Sequence, residues 1–261
     1  MNALTTTPIT RYDNGVTQQL DDAIIVEYTL QVVINTEPFV RLICSPIFLE
    51  ELITGFLYSE RIIFSLADIH SIAIDEGQGI ASVTVSDEAS ARLAATKNRM
   101  RTITTALGKQ ESVTYTLPVL KNDDVTEQGL FKKDMILDWV RDFATMSEIF
   151  QKTGAVHSSA LYNETGRIAF FEDIGRHNAI DKIVGFVLRS GLSFERSAII
   201  TSGRIPREMV LKAVYCKLPV LVSVAATTDK AIATARAANL TLIGFVRGRK
   251  MNIYASPERV M

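Results

Sequence analysis

Between residues 156 and 250, apolar runs of strand length alternate with segments whose apolar residues fall at helical spacing. That alternation restricts the fold more than any other feature of the chain. Val156 to Tyr162 and Arg167 to Phe171 flank N-E-T-G and predict a hairpin, followed by a helix from about Asn178 to Arg189. Ala198 to Thr201 reads as a strand, then S-G-R-I-P-R-E and a helix to Tyr215. Val220 to Val224 repeats the pattern, with A-A-T-T-D and a helix to Ala238, and Leu242 to Val246 is a strand running into R-G-R-K. A β-α-β-α-β order requires right-handed crossovers, and therefore a largely parallel sheet with helices on its faces.

The first half predicts a smaller α+β module. Residues 1–14 are Thr-rich and aperiodic and read as a loose, flexible tail. Ile24 to Ile34 and Pro38 to Cys44 suggest a hairpin turning near Asn35 to Glu37. Ser45 suits an N-cap with Pro46 at the first helical position, and Phe48, Leu49, Leu52, Ile53, Phe56 and Leu57 form one apolar helix face. Ile72 to Ile74 and Ile80 to Val85 flank Gly77 and Gly79 as a second hairpin. Residues 97–111 are polar and basic with weak periodicity, so they are expected as a mobile loop; Met135 to Phe150 is expected as one helix burying Trp139 and Phe143. The expected division is a tail at 1–14, an N-terminal α+β domain at 15–130 and a C-terminal α/β domain at 131–261.

A chain of 261 residues, 47% hydrophobic, can bury a core for one large or two modest domains. Its net charge of −1 creates no global field that would draw it to nucleic acid or a membrane, so any anion site must come from local clustering. Cys44 and Cys216 lie far apart in apolar settings, which gives neither a disulfide framework nor a metal spacing. No apolar run has spanning length and no basic-then-apolar leader opens the chain, so a cytoplasmic location is expected.

In open α/β sheets, ligands bind beyond the carboxyl ends of the strands. Four loops qualify: 172–178, 202–207, 225–229 and 247–250. The first belongs to F-F-E-D-I-G-R-H-N-A-I-D-K, residues 170–182, where two carboxylates, an arginine and a histidine surround one glycine. Together the loops bring Arg176, His177, Arg204, Arg207, Arg247, Arg249 and Lys250 toward one edge, with Gly175, Gly203 and Gly248 allowing close backbone approach. Helix N-termini after Pro206 and Thr228 add N–H donors, so the expected ligand is a phosphorylated small molecule or nucleotide. Glu172 or Asp173 could instead cap the next helix, and Asp181 and Lys182 could be an outward-facing pair or supports behind the site. His157 reads as a packing residue beside a strand, His177 as the better functional candidate, and both thiols as buried and inert.

The motifs G-A-V-H at 154–157, E-D-I-G-R-H-N-A-I-D-K at 172–182, S-G-R at 202–204, E-M-V-L-K at 208–212, P-V-L at 219–221, G-F-V-R-G at 244–248 and G-F-L-Y-S-E-R-I-I at 55–63 resemble the FdhD family of formate dehydrogenase accessory proteins. The resemblance implies a cytidine-deaminase-like α/β C-terminal domain beside a smaller N-terminal one, and a homodimer. It further implies a sulfurtransferase that passes sulfur from a cysteine desulfurase to the Mo-bis(molybdopterin guanine dinucleotide) cofactor required by the formate dehydrogenase catalytic subunit. The family's cofactor segment carries over to Phe245, Val246, Arg247, Gly248, Arg249 and Lys250, while Glu172, Gly175, Arg176, His177, Ser202, Gly203 and Arg204 belong to the shared motifs on the same edge.

One departure stands out. The family's sulfur-carrying C-x-x-C falls in the basic loop, where this chain has Thr104 and Leu107. Neither can form a persulfide, so transfer through that loop is chemically excluded. Either sulfur travels by another route, or the protein is a non-catalytic carrier or chaperone that keeps only the cofactor-binding half of the task. A zinc-dependent nucleobase deaminase, suggested by fold alone, would need H-x-E and P-C-x-x-C ligands that this chain lacks, so no zinc is expected.

Overall fold

The computed structural model describes residues 2–96 and 128–261. The stretch 97–111, with Thr104 and Leu107, lies outside the described residues. A hairpin of β1 (Leu4–Asp13) and β2 (Val16–Ile25) comes first. Residues 4–13 therefore form a strand where a loose tail was expected. The reason is local: Asn14 and Gly15 both adopt positive φ, the turn favoured by two-residue hairpins, and the flanking Thr and Ile residues suit a pleated strand.

The N-terminal module contains β3 (Tyr28–Ile34), β4 (Glu37–Cys44), α1 (Leu49–Ser59), β5 (Ile69–Asp75), β6 (Ile80–Val85) and α2 (Asp87–Thr96). Its four strands pair in the order β4-β3-β6-β5, with β3 and β6 parallel. Leu30, Val32, Leu42, Leu52, Ile53, Leu57 and Val83 fill the core between sheet and helix. α1 starts three residues later than Pro46 because Phe48 has a left-handed backbone, φ 55°, that a helix cannot continue through. Ser45 is consequently not its cap.

The second half contains α3 (Lys133–Thr145), α4 (Glu148–Thr153), β7 (His157–Asn163), β8 (Gly166–Asp173), α5 (Arg176–Arg189), β9 (Ser197–Thr201), α6 (Arg207–Tyr215), β10 (Val220–Ser223), α7 (Asp229–Ala237), β11 (Thr241–Arg247) and β12 (Lys250–Ala255). The single helix expected over 135–150 is broken in two. Ser147 takes a non-helical conformation and its Oγ accepts the Phe150 N–H at 3.1 Å, restarting the chain as α4.

These strands form one six-stranded sheet, ordered β12-β11-β10-β9-β7-β8. β9, β10 and β11 are parallel, as the alternation requires, and β7, β8 and β12 run antiparallel to their neighbours. Period-two alternation divides the side chains between two cores. Ile199, Leu221 and Leu242 face α5, α6 and α7, whereas Ala198, Ile200, Val220 and Val222 face α3 with Trp139 and Phe143.

The two halves are joined by α1 against α5, where backbone meets backbone. A Cβ placed on Gly55 would lie 1.8 Å from the Asp181 carbonyl oxygen, and one on Gly185 would lie 1.9 Å from that of Glu51. Only glycine allows helices this close.

Candidate functional site

Strand directions bring every expected loop to one edge of the large sheet. β9, β10 and β11 end there; β7 and β12 begin there, with His157 opposite Asp173, Ser159 opposite Thr201 and Arg247 opposite Lys250.

The motif 172–182 divides into a paired, buried frame and a part whose polar nitrogens are left without partners. Asp173, fully buried, pairs with Lys182 Nζ at 2.7 Å and accepts the N–H groups of Ser45 at 3.1 Å and Gly175 at 2.9 Å. Asn178 Nδ2 donates to Asp173 and to the Ile43 carbonyl, both at 2.8 Å. Asp181 pairs with Lys212 at 2.6 Å and accepts the Ser59 hydroxyl at 2.7 Å. Asp181 and Lys182 are thus not a pair with each other; each holds a separate partner at the junction with the N-terminal module. Such buried pairs are costly to break, roughly 3–5 kcal/mol when one member is removed. Glu172, on the opposite face of β8, accepts the hydroxyl of Ser147 at the start of α4, and this contact draws it away from the cationic cluster.

The other part is Arg176, whose neighbours include Gly203 and Arg204, and the largely buried His177, whose neighbours include His157 and Lys212. The Arg176 stem lies over Gly203, where an added Cβ would come within 2.8 Å of Arg176 Cβ and 3.0 Å of Cδ. Arg176 Nε and His177 Nε2 are buried and have no hydrogen-bond partner among the described residues. Buried polar nitrogens are rarely left so, and a bound ligand or an ordered water can supply the missing acceptor or donor.

His157, weighed from sequence as packing, joins this cluster with Nδ1 3.3 Å from Ser202 Oγ. Burial first, then Arg176 and Arg204, hold its imidazole below the usual histidine range, while Asp173 opposes. Burial likewise holds His177 down, to about 3, with Lys212, Arg176 and His157 adding to the effect. Between about pH 6.5 and 3 the unfolded chain then binds a proton at His177 that the folded chain does not, so stability falls as pH drops through this window. The expected slope from this residue is up to about 1.4 kcal/mol per pH unit. Urea unfolding between pH 7 and 4.5 measures it, and His177→Gln should flatten the curve; an unchanged slope in that variant would assign the loss to other groups.

Further along the edge, Phe245–Lys250 divides in the same way. Val246 is buried in the sheet core and serves packing. Phe245 is exposed with φ 53° at a bulge between Gly244 and Arg247, and its N–H donates to the Ala225 carbonyl at 3.0 Å. A bulky residue in the left-handed region costs on the order of 1–3 kcal/mol and is held by its surroundings, a pattern concentrated at ligand clamps. The Arg247 guanidinium stands 6.0 Å from that ring, and Gly248 turns the chain with φ 58°. Arg249 reaches Asp134 of α3 at 3.4 Å, and Lys250 is exposed. β10 separates β11 from β9, so the strand ends that carry this segment and the 202–204 loop stand roughly 10 Å apart, two strand spacings.

Both thiols are buried. Burial, reinforced by the Asp173 carboxylate and opposed by Lys182, pushes Cys44 up to about 12. Burial and Asp181 push Cys216 up also, against Lys212 and Arg61. Among the described residues, no group of three or more His, Cys, Asp or Glu side chains could hold a metal ion, and no helix is long and apolar enough to cross a membrane.

Fold and edge together define a mixed α/β protein in which cationic side chains gather at the carboxyl ends of a parallel strand trio. The chain belongs to the FdhD/NarQ family, whose model matches residues 25–261. It is 35% identical over 254 residues to the sulfur carrier protein FdhD of Listeria monocytogenes, covering 97% of each chain. Its identity to the protein of that name in Bacillus licheniformis is 36% over 259 residues, covering 99% of this chain and 98% of the relative. The fold matches a crystal structure of a putative formate dehydrogenase accessory protein from Desulfotalea psychrophila, with a TM-score of 0.78, 23% identity and full coverage of both chains.

Proposed function

We propose that this protein serves the maturation of formate dehydrogenase by holding a molybdenum bis(guanine dinucleotide) cofactor at the sheet edge and presenting it to the apo-enzyme. The observation that carries this reading is the pair of buried, unpartnered nitrogens, Arg176 Nε and His177 Nε2, beside the Gly203 cradle. The cofactor's pyrophosphate groups supply the negative charge that such a site lacks. When bound, the cofactor provides the metal and dithiolene sulfurs that the dehydrogenase uses. The residues here would do something simpler: Arg176, Arg204 and Arg247 would neutralise phosphate, Gly203 and Gly248 would let backbone approach it, and exposed Phe245 would offer a face to the base. The name shared by the curated relatives supports a place in sulfur delivery. The dehydrogenase catalytic subunit is the proposed partner, joined by a cysteine desulfurase only if sulfur reaches the chain by a route other than the 104–107 loop, and the proposed setting is a cytoplasmic homodimer with a cytidine-deaminase-like C-terminal domain. With threonine and leucine at 104 and 107, the reading favoured is cofactor carrier and not sulfurtransferase.

Complementation tests this directly: in a strain lacking its own accessory protein, the chain should restore formate dehydrogenase activity, and no restoration would overturn the proposal. At the level of binding, GDP should bind in calorimetric titration, and Arg247→Ala should weaken it by roughly 1.5–3 kcal/mol, the worth of one charge-assisted contact, with folding unchanged. Equal binding by the variant would remove Arg247 from the site.

A further inference from the structure

We propose that His157, together with Arg176 and Arg204, forms a subsite for a doubly charged phosphate group, and that seating the dianion places one proton on His157. The inference rests on the reading of this edge as a phosphate site and adds a residue and a proton to it. His157 opens β7 opposite Asp173, and among the described residues the titratable or charged groups around it are Arg176 and His177 from α5, Arg204 from the loop after β9, and Asp173 from the end of β8, with Glu208 of α6 acting on Arg176. Ser202 sets the ring's hydrogen bonding. Its Oγ accepts the Ser158 N–H at 2.9 Å, and its own hydrogen is available to His157 Nδ1 at 3.3 Å. The neutral ring then carries its proton on Nε2.

Two guanidiniums beside a half-buried imidazole oppose a third positive charge. A dianion settling between Arg176 and Arg204 cancels that opposition and rewards a cation at His157. Protonation needs no movement of heavy atoms. The Ser202 oxygen has two acceptor sites, so it can take both the Ser158 N–H and the new His157 Nδ1–H while its own hydrogen turns elsewhere. The proton comes from solvent, and no bond to phosphorus forms or breaks. His177, more deeply buried and near Lys212, stays neutral and offers its free Nε2 as a hydrogen-bonding group.

Sulfate is the right probe because it remains a dianion across the pH range of interest. The chain has three histidines, His70, His157 and His177, so their imidazole resonances can be assigned by single substitutions and followed by NMR from pH 5 to 8.5. Saturating sulfate is expected to raise the His157 midpoint by at least about one pH unit while His70 does not move. Wild-type affinity for sulfate should fall with rising pH between the free and bound His157 midpoints, by about tenfold in total for a midpoint shift of one unit. In His157→Gln, which keeps a side-chain N–H near the Nε2 position but cannot titrate, that pH dependence should vanish. An unchanged His157 midpoint in saturating sulfate would overturn the proposal, as would a pH dependence retained in the variant, and the wild-type titration decides the matter if the variant does not fold. GDP displacing sulfate at far lower concentration than inorganic phosphate would assign the dianion to a nucleotide; equal displacement would assign it to free phosphate. If GDP binds while sulfate leaves His157 unchanged, the subsite fails and the cofactor reading stands; if neither binds, both fall.

Discussion

Alanine at Gly55 or at Gly185 is expected to destabilise the fold by roughly 3–5 kcal/mol, and to lower Tm by on the order of 10 °C. The added methyl would meet a carbonyl oxygen at 1.8 Å in the first case and 1.9 Å in the second, and in each case the obstacle is backbone with no rotamer to turn aside. α1 and α5 would have to separate by roughly an ångström or more. That separation would stretch the Ser59 hydrogen bond to Asp181 and the Ser45 N–H bond to Asp173, which cross the same junction at 2.7 and 3.1 Å. Two buried carboxylates would then have their donors pulled back, which raises the cost above the roughly 1–3 kcal/mol typical of overpacking alone. Gly77→Ala is the control, since its Cβ would only touch Asp75 Oδ1 at 3.4 Å. Thermal unfolding of the three variants checks the ordering, and melting within about 2 °C of wild type for all of them would refute close helix packing.

Much of the C-terminal fold was legible because its rule is topological: strands alternating with helices leave a parallel trio as the economical arrangement, and β9-β10-β11 is that trio. The N-terminal hairpin was missed for a different reason. β1 and β2 are exposed on most positions of both faces, so neither strand shows the apolar alternation that marks a half-buried strand, and only the Asn14-Gly15 turn signalled it. Ser45 was misread because Ser-Pro before an apolar face is a sound cap signature, and nothing local announces that Phe48 turns left-handed. Its hydroxyl and amide are spent instead on Ile174 and Asp173, more than 120 residues away in the chain.

The candidate edge was legible as a place more than as a set of roles. Strand ends fixed where residues 172–177, 202–204 and 245–250 collect, but charge alone could not separate framework from contact. Asp181 and Lys182, adjacent in sequence, are satisfied by Lys212 and Asp173 respectively, and helix geometry sends neighbouring side chains about 100° apart. The neighbours of His157 are a matter of register. Counting back from Asn163 opposite Gly166 would pair it with Glu172, whereas the bulge between Leu161 and Tyr162 slips the pairing by one and sets it opposite Asp173. A slip of one residue exchanges the faces of a strand, and sequence gives no warning of it.

The most consequential expectation concerns sulfur, because the sequence offers only two thiols to carry it. Persulfide formation needs a thiolate that a cysteine desulfurase can reach, and only Cys44 and Cys216 are available in the sequence. Both are buried, Cys44 at the end of β4 beneath the Asp173–Lys182 pair and Cys216 at the end of α6 near Asp181. A thiol titrating near pH 12 is thiolate in roughly one molecule in 10⁵ at neutral pH, and Cys216 is also held protonated. Incubation with a cysteine desulfurase and labelled cysteine, followed by intact-mass measurement without reductant, should therefore show no added sulfur, where a competent carrier would gain at least one atom per chain. The variant lacking both cysteines should support formate dehydrogenase maturation as well as the wild type does, provided each substitution is small enough to leave its core packed. A stoichiometric persulfide on Cys216, lost together with maturation in Cys216→Ala, would overturn this view. It would mean that the junction between α1, α5 and α6 opens far enough to expose that thiol, and the protein would then be a sulfur carrier through a cysteine that the static structure keeps closed.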